Sequence, residues 1–487
     1  MTRVLFWNIQ KFGVNKINDP SFFYSAGHGG LTDNAASLVR RTVVSNVLMA
    51  ANPDILVVLE ASSGDSTPNM LASNSGGMAG LITMLGLLRA AAPAWGWRLV
   101  PPLRVGIGGR SETVGVFYRG ALAGGDQLYF TGPNGWVGGW AGASTAPGLG
   151  VFFNNYPAAG LFTPDLSTML TPPGTLPRVV PAGAGHNGNG LMLESTLAAR
   201  VNFLPSAAYP YPLTPAGFVD YGPFRQPYMT TFTRTNAAGA VLSDLAIFSV
   251  HPSPQDGLPA QFLAYLTYLR DVVAARGLVE TRVIGGDFNL ELLDPLTGAN
   301  APVYNIMNNP PNYAYQPLLS SPGAPGGAAL DAFKGYFGTH IRENNSLDEA
   351  SLFLWSTAMV NSPYPGYGYI GSDFVVNFES VDNILVWPRV GGAAYGTTTM
   401  NTLTGVPFTQ VVPTPGGAPA GGPLPANLAS GMTNPFNWLA GVGGAAIPPA
   451  PNAPNGTTIG IRNNLTSWAN YGHLKNTSDH FAIVADI

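Results

Sequence analysis

The chain contains no cysteine, which excludes disulfides, thiolate nucleophiles and cysteine-ligated zinc. That absence assigns no compartment, because a chain without thiols is equally safe in reducing and oxidising surroundings. Charge is also scarce: Asp, Glu, Lys and Arg make up 10% of the 487 residues, against about 25% in an ordinary soluble domain. The surface must then be covered by Gly, Pro, Ser, Thr and Asn. The 22 basic and 26 acidic residues leave a formal charge of −4. No global basic field draws in nucleic acid from a distance, although a local basic groove is compatible with that total. No apolar run reaches the about 18 residues of a membrane-spanning helix. The first residues read as a strand and lack the charged, apolar and small-residue regions of a signal peptide. The expectation is a soluble protein, cytoplasmic, or exported by a non-classical route or after loss of a leader. No internal repeat is visible, and no loop has the spacing of an EF-hand.

What the chain has is apolar residues, at 46%, enough for a large core. Strand-like runs occur at residues 3–9, 54–60 (DILVVLE), 113–119 (TVGVFYR), 228–234, 243–250, 283–286, 380–387 (SVDNILVW) and 481–487. Residues 236–240 read as the turn of a hairpin. Helices are expected over 33–51, 78–92 and 258–276, the last with Phe262, Leu266, Leu269 and Val273 at helical spacing. Between these lie three Gly- and Pro-rich stretches, at about 120–223, 294–345 and 391–454. Their aromatic residues argue for elaborated insertions over disorder. Because regular segments span the whole length, one decorated catalytic domain over residues 1–487 is expected.

The polar residues are placed with a pattern. Asn8, Glu60, His251, Asp287, Asn289, Asp382, Asp479 and His480 each fall at the end of an apolar strand or directly beside one. Strand ends on one edge of a sheet share a space. Carboxylates and amides there suit a hard divalent cation such as Mg²⁺, which prefers oxygen ligands and keeps several waters. Imidazoles beside it can accept and donate protons near neutral pH. Each residue alone also has a plain reading. GDFN and SDH are turn-formers, Glu60 could be a solvated strand end, and His251 before Pro252 could be a turn histidine. Asp382 is the exception, because a carboxylate inside an apolar strand needs a partner. His186, His340 and His473 read as loop histidines without a ligand role, and Asp373 as a turn residue. The aromatic runs at 209–212 (YPYP) and 364–369 (YPGYGY) read as loop segments packed on the domain.

The strings WNI, LE after an apolar strand, VH, GDFN, VDNILV and SDH occur in this order. In that order they resemble the motif series of the endonuclease/exonuclease/phosphatase superfamily, which includes deoxyribonuclease I, exonuclease III, inositol polyphosphate 5-phosphatases and bacterial sphingomyelinases. Residues 224–255, with the helix that follows them, resemble deoxyribonuclease I locally. The resemblance implies a four-layer α/β sandwich, deoxyribonuclease I-like, with two packed mixed sheets flanked by helices. It implies that Asn8 and Glu60 contact a metal, joined by Asp479. It makes His251, oriented by Glu112, one catalytic imidazole and His480, backed by Asp382, the other. Asp287 and Asn289 would hold the phosphate and the attacking water, and Arg225 would clamp a phosphate.

The implied activity is Mg²⁺-dependent endonucleolytic hydrolysis of DNA, with Mn²⁺ as a substitute and Ca²⁺ as a structural ion. The alternative is a phosphodiesterase or phosphatase for a phospholipid or small molecule, sphingomyelinase-like, which the long aromatic insertions would suit. A catalytically inactive binding module is the third reading, and the intact residue set argues against it. DNA-cutting relatives place basic residues beside the catalytic Asn and Glu. Here Gln10 and Ser62 stand near those positions, with Arg110 close to Glu112. Nothing in the sequence sets an oligomeric state.

Overall fold

The strands RVLFWNIQKF, ILVVLEAS and ETVGVFYR carry unbroken apolar runs (VLFW, ILVVL and VGVFY) that are buried at every position. A strand without alternation must be covered on both faces, and the fold provides that cover. In the computed structural model the described residues are 1–18, 40–62, 76–130, 225–291, 301–319, 339–341, 378–390 and 477–487, less some positions within them, with short strands at 135–136, 211–219, 397–400 and 407–408.

The first sheet has eight strands: β1 (Arg3–Phe12), β2 (Ile55–Ser62), β3 (Trp97–Val100), β4 (Arg104–Val105), β5 (Glu112–Arg119), β19 (Thr397–Met400), β20 (Pro407–Phe408) and β21 (Ile483–Asp486). They run in the order β20-β19-β21-β1-β2-β5-β3, with β4 also beside β5. The second sheet has seven: β6 (Gln127–Phe130), β7 (Gly135–Trp136), β10 (Tyr228–Thr235), β11 (Val241–Val250), β12 (Glu280–Asp287), β15 (Gln316–Pro317) and β18 (Asp382–Trp387). Their order is β15-β18-β12-β11-β10-β6, with β7 beside β10. Each sheet is mixed and holds a central parallel pair, β1 with β2 and β11 with β12. Three two-stranded pieces complete the list: β8 (Tyr211–Leu213) with β9 (Gly217–Val219), β13 (Asn308–Asn309) with β14 (Tyr313–Ala314), and β16 (His340–Ile341) with β17 (Phe378–Glu379).

The helices are α1 (Val14–Asn18), helical residues within 40–51, α2 (Gly76–Ala91), α3 (Leu258–Leu266) and α4 (Arg270–Val273). Helices link the strands of each parallel pair, as a parallel connection requires. The α2 helix packs on the outer face of the first sheet, where Leu81 fills the space left by Gly115. The α3 helix buries Pro259, Phe262, Leu263 and Leu266. Between the sheets Tyr118 meets Phe232 edge to face, centroids 5.4 Å apart. Phe6 of the first sheet lies over Gly285 of the second, at a spot where a Cβ would fall 2.4 Å from the ring. Helix, sheet, sheet, helix: this is the four-layer α/β sandwich.

Two expectations change in detail. The helix expected over 258–276 is two helices, because Thr267 ends the first by turning both its backbone N–H and its hydroxyl back onto Ala264 O. The three expected insertions are not wholly outside the sheets. Residues within them supply β6 and β7, β15, and β19 and β20, which extend the sheets. Residues 364–369, His186, His473, Asp373 and Arg110 lie outside the described residues.

Candidate active site

The parallel strands β1, β2, β11 and β12 end at one rim of the sandwich, and the antiparallel strands β5, β18 and β21 begin there. This topology carries Asn8, Glu60, His251 and Asp287 out of strand ends and Glu112, Asp382 and His480 into strand starts, all at the same place. Local backbone completes the aim. The β2–β5 register slips between Val58 and Ala61, and Glu60 sits there at φ 59°. A non-glycine residue in the left-handed region is uncommon and marks functional sites. The Glu60 carboxylate is held by the Lys11 N–H at Oε2 (3.0 Å) and by Asn8 Nδ2 at Oε1 (3.2 Å). Asn289 is also left-handed, at φ 49°. Its N–H donates to Asp287 Oδ1 (2.8 Å) and its side-chain amide to Pro252 O (2.9 Å). Gly286 permits the strand end its φ of 138°, in a space where a Cβ would lie 2.3 Å from Val250 O.

Two imidazole–carboxylate pairs face each other across Asp287. His251 Nδ1 bonds Glu112 Oε2 at 2.8 Å, and its Nε2 lies 3.4 Å from Asp287 Oδ2 and 3.5 Å from Glu60 Oε1. His480 Nδ1 bonds Asp382 Oδ2 at 2.8 Å, and its Nε2 lies 3.6 Å from the same Asp287 Oδ2. Asn8 Nδ2 donates to Asp287 Oδ2 at 3.1 Å and comes within 3.5 Å of His480 Nε2. Arg225 reaches Glu112 Oε2 with Nε (3.3 Å) and the His251 carbonyl with Nη1 (3.1 Å). Asp479 accepts a bond from Gln10 Nε2 at 2.9 Å.

Burial sets the electrostatics. It disfavours the charged form of both imidazoles, but the carboxylates overcome it. Glu112, with Asp287, raises the pKa of His251. Asp382 and Asp287 together push His480 up to about 10. Burial also works against ionised Asp287, and the two imidazoles outweigh it and hold the group below the usual carboxylate range. Asp382 is raised by burial.

All ten residues singled out from the sequence therefore belong to one connected network. Supporting residues join them. Ser478 accepts a bond from the His480 N–H (2.9 Å) and donates its own hydroxyl proton to Asn8 O (2.7 Å). That dual role explains the serine of SDH, and a serine two positions before a histidine is a recognisable turn signal. The Trp7 indole donates to His480 O at 2.9 Å. His340 also joins the site, stacked on His480 with ring centroids 4.4 Å apart. No local sequence signal marks it, because its place depends on a bridge between residues far apart in the chain.

A divalent cation fits the oxygen-rich side of this rim. Asn8 Oδ1 is buried and accepts no hydrogen bond from the described residues, a costly state for an amide oxygen unless something satisfies it. The Glu60 carboxylate beside it remains partly open to solvent. Carboxylate, amide oxygen and water are the donor set such ions prefer. One imidazole and two carboxylates, His480, Asp287 and Asp382, form another close group of potential ligands.

No family profile and no curated protein sequence matches the chain. Among solved structures it is similar to truncated Caenorhabditis elegans TDP2, at 8% identity over 99% of this chain and 96% of that one, with a TM-score of 0.35. It is similar to an endonuclease/exonuclease/phosphatase family protein from Leptotrichia buccalis, at 9% identity over 100% and 99%, with a TM-score of 0.36. A mannosyl-6-phosphatase from Bacteroides thetaiotaomicron gives 10% identity over 82% and 87%, with a TM-score of 0.32. The chain's own features show a four-layer α/β sandwich with two paired mixed sheets, whose strand ends meet at one rim and bring the ordered polar residues together there.

Proposed function

We propose that this chain is a divalent-metal-dependent phosphodiesterase, and that its substrate is DNA, cut endonucleolytically. The observation that carries the reading is the opposed pair of buried imidazoles, each fixed at Nδ1 by a carboxylate, with both Nε2 atoms facing Asp287 Oδ2 at 3.4 and 3.6 Å. Hydrolysis of a phosphodiester needs one proton taken from the attacking water and one given to the leaving oxygen. In the proposed reaction one imidazole accepts the water proton as the water oxygen bonds to phosphorus. The other protonates the leaving oxygen as its bond to phosphorus breaks. Glu112 and Asp382 hold the two rings in orientation. Asn289 and Asp287 position the water and the phosphate, and Arg225 keeps a positive charge beside the His251 pair. Glu60 and Asn8, with Asp479 as a further oxygen donor, would hold Mg²⁺ (or Mn²⁺), which would supply stabilisation of charge on the phosphoryl oxygens.

One observation favours a second substrate class. Gln10, where a DNA-cutting relative would carry a base, directs its amide to Asp479. That arrangement suits a phospholipid or small phosphodiester, which makes fewer backbone phosphate contacts than duplex DNA.

The test incubates the full chain with supercoiled plasmid and Mg²⁺ or Mn²⁺, with EDTA, and beside a His251→Ala/His480→Ala double variant. Metal-dependent nicking that the double variant loses supports the endonuclease. Intact plasmid under every metal, with turnover of sphingomyelin or bis-p-nitrophenyl phosphate, moves the substrate to the second class. No turnover of any phosphodiester overturns the reading.

A further inference from the structure

The proposed hydrolysis makes no use of His340, yet the structure sets this residue against the site. His340 pairs with Glu379 in β16–β17 and also forms an antiparallel bridge with His480. The two rings stack at 4.4 Å with a tilt of 34°. Asp479 closes the cluster: its Oδ2 lies 3.6 Å from His340 Nε2, and its Oδ1 lies 3.9 Å from His480 Nε2. The three side chains are 19%, 9% and 6% exposed, so His340 is the most open of the three to solvent.

The geometry points to a second metal position in this chain, made by His340 Nε2, His480 Nε2 and the Asp479 carboxylate, for a transition-metal dication of the Zn²⁺ class. One donor atom from each residue lies within 4.8 Å of the others. Bonds of about 2.0–2.1 Å in a tetrahedral zinc site place neighbouring donors about 3.4 Å apart. His340 Nε2 stands 3.6 Å from Asp479 Oδ2, close to that spacing, and His480 Nε2 stands 3.9 Å from the other carboxylate oxygen, Oδ1, about half an ångström beyond it. Two imidazoles and one carboxylate leave a fourth position for water or a phosphoryl oxygen. Imidazole suits Zn²⁺ and its neighbours, whereas Mg²⁺ selects oxygen.

The surroundings are those of a held ligand set. Asp382 fixes His480 at Nδ1 (2.8 Å), the carboxylate–histidine arrangement that presents the other ring nitrogen to a metal. Gln10 orients Asp479 (2.9 Å). Thr339 anchors His340 from the preceding position: its hydroxyl accepts from the Val381 and Asp382 N–H groups (3.1 and 3.0 Å), and its carbonyl accepts from Phe481 N–H (2.7 Å). The position draws on His340 and His480, which the oxygen-rich side at Asn8 and Glu60 does not use, and shares with that side only the Asp479 carboxylate; its occupation does not depend on the hydrolytic reading.

The test is Zn²⁺ binding to the full chain in excess Mg²⁺, by calorimetry, with X-ray absorption on the Zn²⁺-loaded unmutated protein. One Zn²⁺ with two imidazole ligands is expected. His340→Gln should weaken it at least about tenfold, while Glu60→Gln leaves it unchanged. The proposal is overturned by an absence of Zn²⁺ binding in the unmutated chain, by an absorption spectrum without imidazole, or by a folded His340→Gln chain that binds as tightly. Because the spectrum needs no substitution, the result stands even where a variant fails to fold.

Discussion

Glu112 and Asp382 do the same thing to different histidines. Each is buried, each bonds an Nδ1 at 2.8 Å, and each raises its imidazole's basicity against the cost of burial. The pairs differ in their further support, since Arg225 braces Glu112 while the Thr339 hydroxyl accepts the backbone N–H of Asp382. If the two rings pass protons in one reaction, losing either should be nearly as damaging as losing both. His251→Ala and His480→Ala are each expected to slow plasmid nicking about 10²–10⁴-fold, and the double variant to fall little further. Initial rates at saturating Mg²⁺ measure this, with thermal melting to confirm folding. Additive losses would show that the two imidazoles act independently. The zinc position adds a second outcome at this scale. Zn²⁺ on His480 Nε2 removes that atom from proton transfer, so micromolar-range Zn²⁺ should inhibit nicking and His340→Gln should resist the inhibition. Equal inhibition of both proteins would place the inhibitory zinc elsewhere.

At the scale of elements, the site depends on where strands stop and how they bend. Gly285 and Gly286 precede Asp287, the last residue of β12, and each is needed for a different reason. A methyl at 285 meets the Phe6 ring at 2.4 Å, a side chain of the opposite sheet. Gly285→Ala should therefore overpack the core and cost about 1–3 kcal/mol. Gly286→Ala should cost more, because its Cβ meets Val250 O, which is backbone, at a φ that L-residues avoid. Urea midpoints of the two variants check the order, and a Gly286→Ala chain as stable as the parent would contradict it. The sequence makes the strands legible, since long apolar runs between polar residues admit few other readings. It also makes legible the acids, amides and imidazoles at their ends. It does not reveal the β2 bulge that turns Glu60, because a slipped register depends on the partner strand. Nor does it reveal the edge strands β15 and β20, whose two residues carry no periodicity. His340 escapes notice for the same reason, since a two-residue strand and a bridge to residue 480 bring it in.

At the scale of the molecule, the site is closed by the two ends of the chain. β1 carries Asn8 and β21 follows His480 directly, and the two strands pair antiparallel from Arg3–Asp486 to Phe6–Ile483. The pairing is clamped at its outer end by Arg3, whose Nε and Nη2 bond the two Asp486 oxygens at 2.7 and 2.8 Å. That two-pronged bond holds the Asp486 carboxyl below its ordinary 3.8. A carboxylate with a depressed folded value stabilises the fold above its unfolded pKa, and the contribution disappears as pH falls through the folded one. Asp486→Asn should therefore lower stability at neutral pH, and the gap from the parent chain should close in acid, below 3.8. Its size should stay under about 1 kcal/mol, because the two side chains are 39% and 41% exposed and solvent screens the pair. Urea unfolding of both proteins, at neutral pH and through the acid range, measures the gap. A gap that persists unchanged in acid would mean that Asp486 acts through packing and not charge. In the predicted case, nicking at neutral pH should survive the substitution, because β21 remains held to β1 by its backbone bonds and His480 by Trp7 and Ser478.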